Sequence, residues 1–293
     1  MPATRIWDST SSTIFATAAN WSADTAPVAG DTAIMPDGNT IGVAGFTPVY
    51  AQALAEFTTK PGYSGTLGSR TEGVISDLMI QATTVNLAGS GQAYVNLTTV
   101  TTCNVTGAAA GSPTIGTYGL TLSGATVTTL NIDLANGQSV GVAALAGQTG
   151  TFTTINISGD GTVVLGAGLT CSTLNVRGNG SVYVRASIAN VNIIDGSPKV
   201  YIQDATAVSG TLLVQAGQMY EQSTGTKAQV TIFDGASALC AQGSRTWTNT
   251  TVYGEGTLDD DVKSVTFTNP IKDYGKGTNI KLGSNKGIQR SAI

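Results

Sequence analysis

The chain of 293 residues contains no histidine. That removes the commonest general base and the commonest metal ligand, and it excludes nucleophile schemes built on a Ser–His or Cys–His pair. Cysteine is scarce: Cys103, Cys171 and Cys240 lie far apart with no C-x-x-C spacing. A zinc site is not expected from that pattern, and an odd count argues against a disulfide framework, so buried free thiols are the expectation. Charged residues make up only 11% of the chain, against about a quarter in ordinary domains, and aromatics only 6%. The net charge of −4 comes with no basic footprint in the body of the chain, so no nucleic-acid partner is expected. No run approaches the ~18 apolar residues of a membrane span, so no membrane is expected either. "MPATRIWDSTSS" lacks the apolar stretch of a secretion signal, which points to synthesis in a cytoplasm without N-terminal export.

What the chain does have is glycine (37 residues), a hydrophobic fraction of 41%, and a repeat. The unit is Thr/Ser-Thr, an aliphatic residue or Cys, Asn, an aliphatic residue, then Gly soon after. Its Asn falls at Asn86, Asn104, Asn131, Asn156, Asn175 and Asn192, with spacings of 18, 27, 25, 19 and 17. "VTIFDG" (230–235) reads as a further copy with Thr231 at the Asn position, and "TLLVQAG" (211–217) as the copy between. Leucine-rich repeats have a similar length but a different signature, and propeller blades are about twice as long. Short strands punctuated by Gly, Asn, Asp and Ser at this period predict an all-β fold. The specific expectation is a single-stranded, right-handed parallel β-helix (β-solenoid) with an N-terminal cap and an extended C-terminal tail.

Strand alternation assigns the faces, because successive side chains point to opposite sides. Leu130, Ile132, Ile155, Ile157, Leu174, Val176, Val191 and Ile193 are predicted to face the interior, with the Asn residues outward. Val182, Val184, Val200 and Ile202 face in, which puts Tyr183 and Tyr201 outside as neighbours on adjacent coils. Tyr94 is a third outer-face aromatic. The wider spacings assign longer loops to 107–119 and 134–150. The organisation read from these patterns is a cap and first strands over 1–60, a solenoid body over 61–269, and a tail over 270–293.

No catalytic, cofactor or metal site is predicted. The carboxylate run Asp259-Asp260-Asp261 suits acid–base or Ca²⁺ chemistry, but it sits in one coil and reads as a solvated turn. Asp133, Asp160 and Asp195 fall at turns, where Asp is common for local hydrogen-bonding reasons. "GDGTVVLGAG" and "GNGSVYV" lack the following helix and the Lys-Ser/Thr of a phosphate loop. After Pro270 the β rhythm fades, while Lys272, Lys276, Lys281, Lys286 and Arg290 face a single Asp273. Ile280, Lys281, Leu282, Lys286, Ile288, Arg290 and Ile293 are the residues expected to contact a partner through this tail.

The opening stretch, with Asn20-Trp21-Ser22, Pro27 and Gly30-Asp31-Thr32 leading into an aliphatic strand, resembles the first segment of repetitive β-helix proteins. These are phage or prophage structural proteins and autotransporter-type passenger domains. The resemblance covers about forty residues and implies the architecture; with no catalytic residues and no export signal, a non-enzymatic virion protein is the expectation. A capsid decoration or cement protein comes first, then a tail or fibre component. A tailspike-like polysaccharide-binding or polysaccharide-degrading protein and a surface adhesin are the alternatives. The implied partners are other virion proteins and further copies of the chain, a trimer among the possible forms. The implied location is the virion, after synthesis in a host cytoplasm.

Overall fold

The structure, a computed structural model, describes residues 1–10, 12–43, 53–71, 74–112, 116–241, 243–275, 279–282 and 288–290. Of residues 71, 74–76, 289 and 290, only the backbone is described. The chain is an all-β parallel β-solenoid with almost no helix. Two short 3₁₀ turns, Ala18–Asn20 and Ser22–Asp24, are the helical elements among the described residues, and no helix there is long and apolar enough to cross a membrane. Two compact units divide it, Met1–Thr153 and Thr154–Ile293.

In the first unit, Thr4–Ile6, Thr32–Met35, Leu54–Thr59, Leu78–Leu87, Ala93–Val105 and Leu120–Leu134 pair in sequence, each parallel to the next. One hairpin, Ser69–Thr71 with Val74–Ser76, is antiparallel. Register between coils follows the repeat: Val85, Cys103 and Leu130 align, and so do Asn86, Asn104 and Asn131. The stretch 134–150, expected to be a loop, holds the strand Ser139–Val142, buried along its length and parallel to Leu120–Leu122. Its small residues had disguised a strand, because a strand buried on both faces shows no polar alternation.

The opening segment builds a compact aromatic cluster. Trp7, Phe15 and Trp21 are buried, with Trp21 edge-on to both others at ring-centroid distances of 5.1 and 4.7 Å. The Trp21 indole N–H donates to the Phe15 carbonyl at 2.6 Å. Asp31 is buried and accepts from the Ala3 and Val28 amides at 2.7 and 3.2 Å, with the Arg5 guanidinium at 3.4 Å. The residues that carry the resemblance are therefore structural: Asn20 holds the Ile14 carbonyl, and the Ser22 hydroxyl accepts from the Ile6 amide.

The second unit stacks coils of two strands each. One row runs Leu169–Val176, Ile188–Ile193, Val208–Val214, Lys227–Ile232 and Arg245–Tyr253. The other runs Thr162–Leu165, Ser181–Val184, Lys199–Ile202, Gln218–Glu221, Ser237–Cys240 and Thr257–Asp260. The predicted interior residues are all buried, from Leu130 and Ile132 in the first unit to Ile155, Leu174, Val191 and Ile193 in the second. Asn192 aligns with Leu213 and Leu213 with Thr231, so the two divergent copies occupy the Asn column as expected.

The ladder does not stop at Pro270, where the sequence pattern had ended it. Ile271–Tyr274 pairs with Thr251–Tyr253, Asn279–Leu282 with Thr257–Asp260, and Ile288–Arg290 with Ile271–Asp273. Each of these strands is only three or four residues long. A strand that short gives little periodicity to read, yet its backbone pairs fully with the coil before it.

Candidate functional site

The outer face of the second unit carries rows of identical or similar side chains bonded to one another. Tyr183, Tyr201 and Tyr220 are in register and stack at 4.7 Å, with interplanar angles of 8° and 11°. Tyr183 and Tyr201 meet as expected, and Tyr220, nineteen residues on, extends the row. Partial burial and the two flanking phenols push the Tyr201 hydroxyl above its usual range. Beside this row the Arg185 guanidinium donates to Gln203 at 3.2 Å, and Gln203 donates to Gln222 at 3.0 Å. A second aromatic row, Phe233, Tyr253 and Tyr274, stacks at 5.3 and 5.2 Å. Sequence reading missed it because Phe233 falls just past its strand, Lys227–Ile232, while Tyr253 and Tyr274 close theirs, so no shared repeat unit lines the three up. Tyr94 belongs to neither row. It lies in the first unit under the Arg70 guanidinium, 5.8 Å from the ring centroid, and Arg70 grips Asp77 through two 2.8 Å hydrogen bonds.

Stacking decides what the tyrosines can do. Sugar recognition by an aromatic ring uses the open face of the ring. Here each middle face is covered by the next tyrosine, while Val164 and Leu239 occupy the register positions beyond the two ends. Edges and hydroxyls are what the row offers.

Between the two rows the coils turn a corner at Gly196, Gly217 and Gly235, with φ of 82°, 65° and 73°. A Cβ would lie 2.1 Å from the Gly178 carbonyl oxygen at Gly196 and 2.5 Å from the Pro198 carbonyl oxygen at Gly217, so only glycine lets these two turns stack so closely, while at Gly235 the positive φ alone favours glycine. An open groove of about 520 Å³ lies along that corner, with the three glycines in its lining. Lys199, Gln218 and Ser237, in register on successive coils, form one wall, and Gln215 and Asp234 line the other.

The repeated Asn residues make a third device. In the first unit Asn104 donates to Asn86 and Asn131 to Asn104, each at 2.8 Å, and Asn86 donates to Glu56 at 2.8 Å. In the second, Asn175 donates to Asn156 and Asn192 to Asn175, again at 2.8 Å. Asn86, Asn104 and Asn175 are thus each both donor and acceptor along the stacking direction.

The carboxylate run splits three ways. Asp259 is half-buried, with Lys281 at 3.7 Å, and Asp261 is exposed. Asp260 corrects the expectation of a solvated turn: it is buried and accepts from the Ser264 amide and hydroxyl at 2.8 and 2.7 Å and from the Val265 amide at 3.1 Å. It belongs to a buried charged group that also holds Glu221, Lys227 and Arg245. Glu221 faces Lys227 at 3.4 Å and accepts from the Ser223 hydroxyl at 2.6 Å. The Lys227 ammonium donates to the Thr206 carbonyl at 2.7 Å and to Ser223 at 2.8 Å. Burial drives Lys227 below its usual range, and Glu221 opposes that shift. Arg245 donates to the Glu221 and Ala241 carbonyls. Cys240, in register with Glu221, has its thiol pushed up by burial. Among the described residues, no group of three or more Cys, Asp and Glu could hold a metal ion.

Of the expected tail contacts, Ile280, Lys281, Leu282 and Ile288 are rungs of the ladder, in register with Leu258, Asp259, Asp260 and Ile271. The backbone of Arg290 pairs with Asp273, while Lys286 and Ile293 lie outside the described residues. No protein-family model, curated protein or solved structure matches the chain.

Proposed function

We propose that the chain is a non-enzymatic structural protein of a bacteriophage virion, a capsid decoration or cement protein before a tail or fibre component. In this reading it is a rigid β-solenoid that contacts neighbouring virion subunits and further copies of itself. The observation that carries the proposal is the self-bonded outer surface. Asn, Gln and Tyr rows hold one another in place before any partner arrives. Ordering a flexible side chain on association costs about 0.5–1.5 kcal/mol, and a surface already ordered avoids that cost. Such a face suits permanent contact more than chemistry on a substrate. The assignment to phage rests on the resemblance of the segment around Asn20-Trp21-Ser22 and Gly30-Asp31-Thr32. Synthesis in the host cytoplasm, with free cysteines and no disulfide, is in keeping with it.

Density-banded particles from a lysate of the producing strain provide the test. The chain should be found in them by mass spectrometry at a copy number comparable to other structural proteins, and antibody gold should mark the particle surface. A chain left wholly in the soluble fraction, or one that depolymerises host polysaccharide, would overturn the proposal.

A further inference from the structure

We infer that the corner groove of the second unit is a binding site for a neutral, hydroxyl-rich oligosaccharide, held by hydrogen bonds in place of aromatic stacking. The inference goes beyond the structural role proposed above and does not depend on it. Its volume of about 520 Å³ lies within the range of small-ligand sites. Ser197, Lys199, Gln215, Gln218, Asp234 and Ser237 supply hydroxyls, amides, one ammonium and one carboxylate. The charges cancel, and donors and acceptors are interleaved.

Several of these groups are available. Gln218 uses its carbonyl oxygen to accept from the Tyr220 hydroxyl at 2.6 Å, which leaves its amide N–H groups free. One Asp234 oxygen accepts from the Glu255 amide at 2.8 Å, and the other accepts no hydrogen bond among the described residues. The side chains of Lys199, Gln215 and Ser237 make no hydrogen bond within the chain among the described residues.

Other ligand classes fit less well. A polyanion would meet Asp234 with only Lys199 to hold it, and nucleic-acid sites are strongly basic. An apolar ligand would strip water from six polar side chains without replacing their hydrogen bonds. A peptide adding as a strand needs an open sheet edge. Here Lys199–Ile202 is paired on both sides, and so is Gln218–Glu221. A proline-rich peptide needs aromatic faces, and those are covered. A hydroxyl both donates and accepts, so a chain of sugar rings can satisfy this mixed lining. The lining recurs at the coil spacing of about 4.8 Å, which suits a polymer lying along the stack.

The test uses the full chain on an array of neutral hexa- to octasaccharides from bacterial O-chains and capsules. Heparin and oligothymidine serve as polyanion controls, and hits are followed by calorimetry. At least one neutral probe should bind. Ala216→Trp, which fills the groove, should abolish binding, and the Gln215→Ala/Ser237→Ala double variant should weaken it by about tenfold or more, as the loss of two hydrogen bonds implies. Circular dichroism and melting of both variants must match the parent, and the double variant keeps the test sound if Ala216→Trp misfolds. Failure of every neutral probe, equal binding by the variants, or preference for heparin would each overturn the inference. Incorporation into virions is scored separately, so loss of one proposal leaves the other standing.

Discussion

Glu221 and Lys227 have no exposed surface, and on the preceding coil the register position of Glu221 is held by the aliphatic Ile202. A buried ion pair is weak grounds for stability, because desolvation offsets the attraction, but breaking one leaves a charge with no partner. Glu221→Ala should therefore cost about 3–5 kcal/mol, while Glu221→Leu combined with Lys227→Met should cost far less. Urea denaturation of the two variants checks this, and equal losses would show that the pair is not coupled. The thiols allow a gentler probe. Burial raises Cys103 to about 12 and Cys171 to about 11. The thiolate is the reactive form, so at a pH of about 8 no more than roughly one molecule in a thousand carries it at Cys171. Both residues should resist a thiol reagent in the folded chain and react at once in denaturant; rapid labelling of the native protein at Cys103 would contradict the assigned burial.

At the scale of the strand and coil, most of the architecture was legible. Two alternating aliphatic residues around an Asn, repeated at nearly constant spacing, require stacked coils with the aliphatics inside, and Leu174, Val176, Val191 and Ile193 are there. The Asn was readable as outward, but its sideways bond to the next Asn belongs to the stack and not to any one coil. Glu221 follows Met219 at the same parity and so had to face inward; its polar type concealed that. The coils after Pro270 were illegible for a different reason, since strands of three or four residues carry too few apolar positions to show a period. Their contribution is measurable. Deleting residues 271–293 would uncover Val252 and Leu258, both fully buried and paired to Asp273 and Ile280. Exposing each side chain costs about 1.5–3 kcal/mol, so the truncated chain should melt at a distinctly lower temperature. An unchanged melting curve would mean that these rungs add nothing to the stack.

At the scale of the molecule the notable quantity is charge, or the shortage of it. Four ion pairs are found among the described residues, and only Lys281–Asp259 has a partner more than half exposed. Exposed pairs contribute about 0–1 kcal/mol each and are screened by salt. Thermal stability should then be almost independent of sodium chloride between about 0.05 M and about 0.5 M, with a shift of no more than roughly 2 °C. A large drop across that range would point to electrostatic stabilisation that the visible pairs do not supply.

The asparagine rows also set how this surface ages. An amide inside the row, such as Asn175, donates its N–H to one neighbour, and its carbonyl oxygen accepts from the other. Hydrolysis of a single side-chain amide to a carboxylate would remove a donor and set two acceptors against each other, breaking the row at that coil. Each row asparagine is followed by Leu, Val or Ile, never by glycine, and lies in a strand bonded on both sides. Asn179, by contrast, sits in an exposed turn just before Gly180, with its amide on Asp160. Asn136, in an exposed turn just before Gly137, is placed alike, so in a long-stored sample chemical decay should begin at these two turns and reach the rows last.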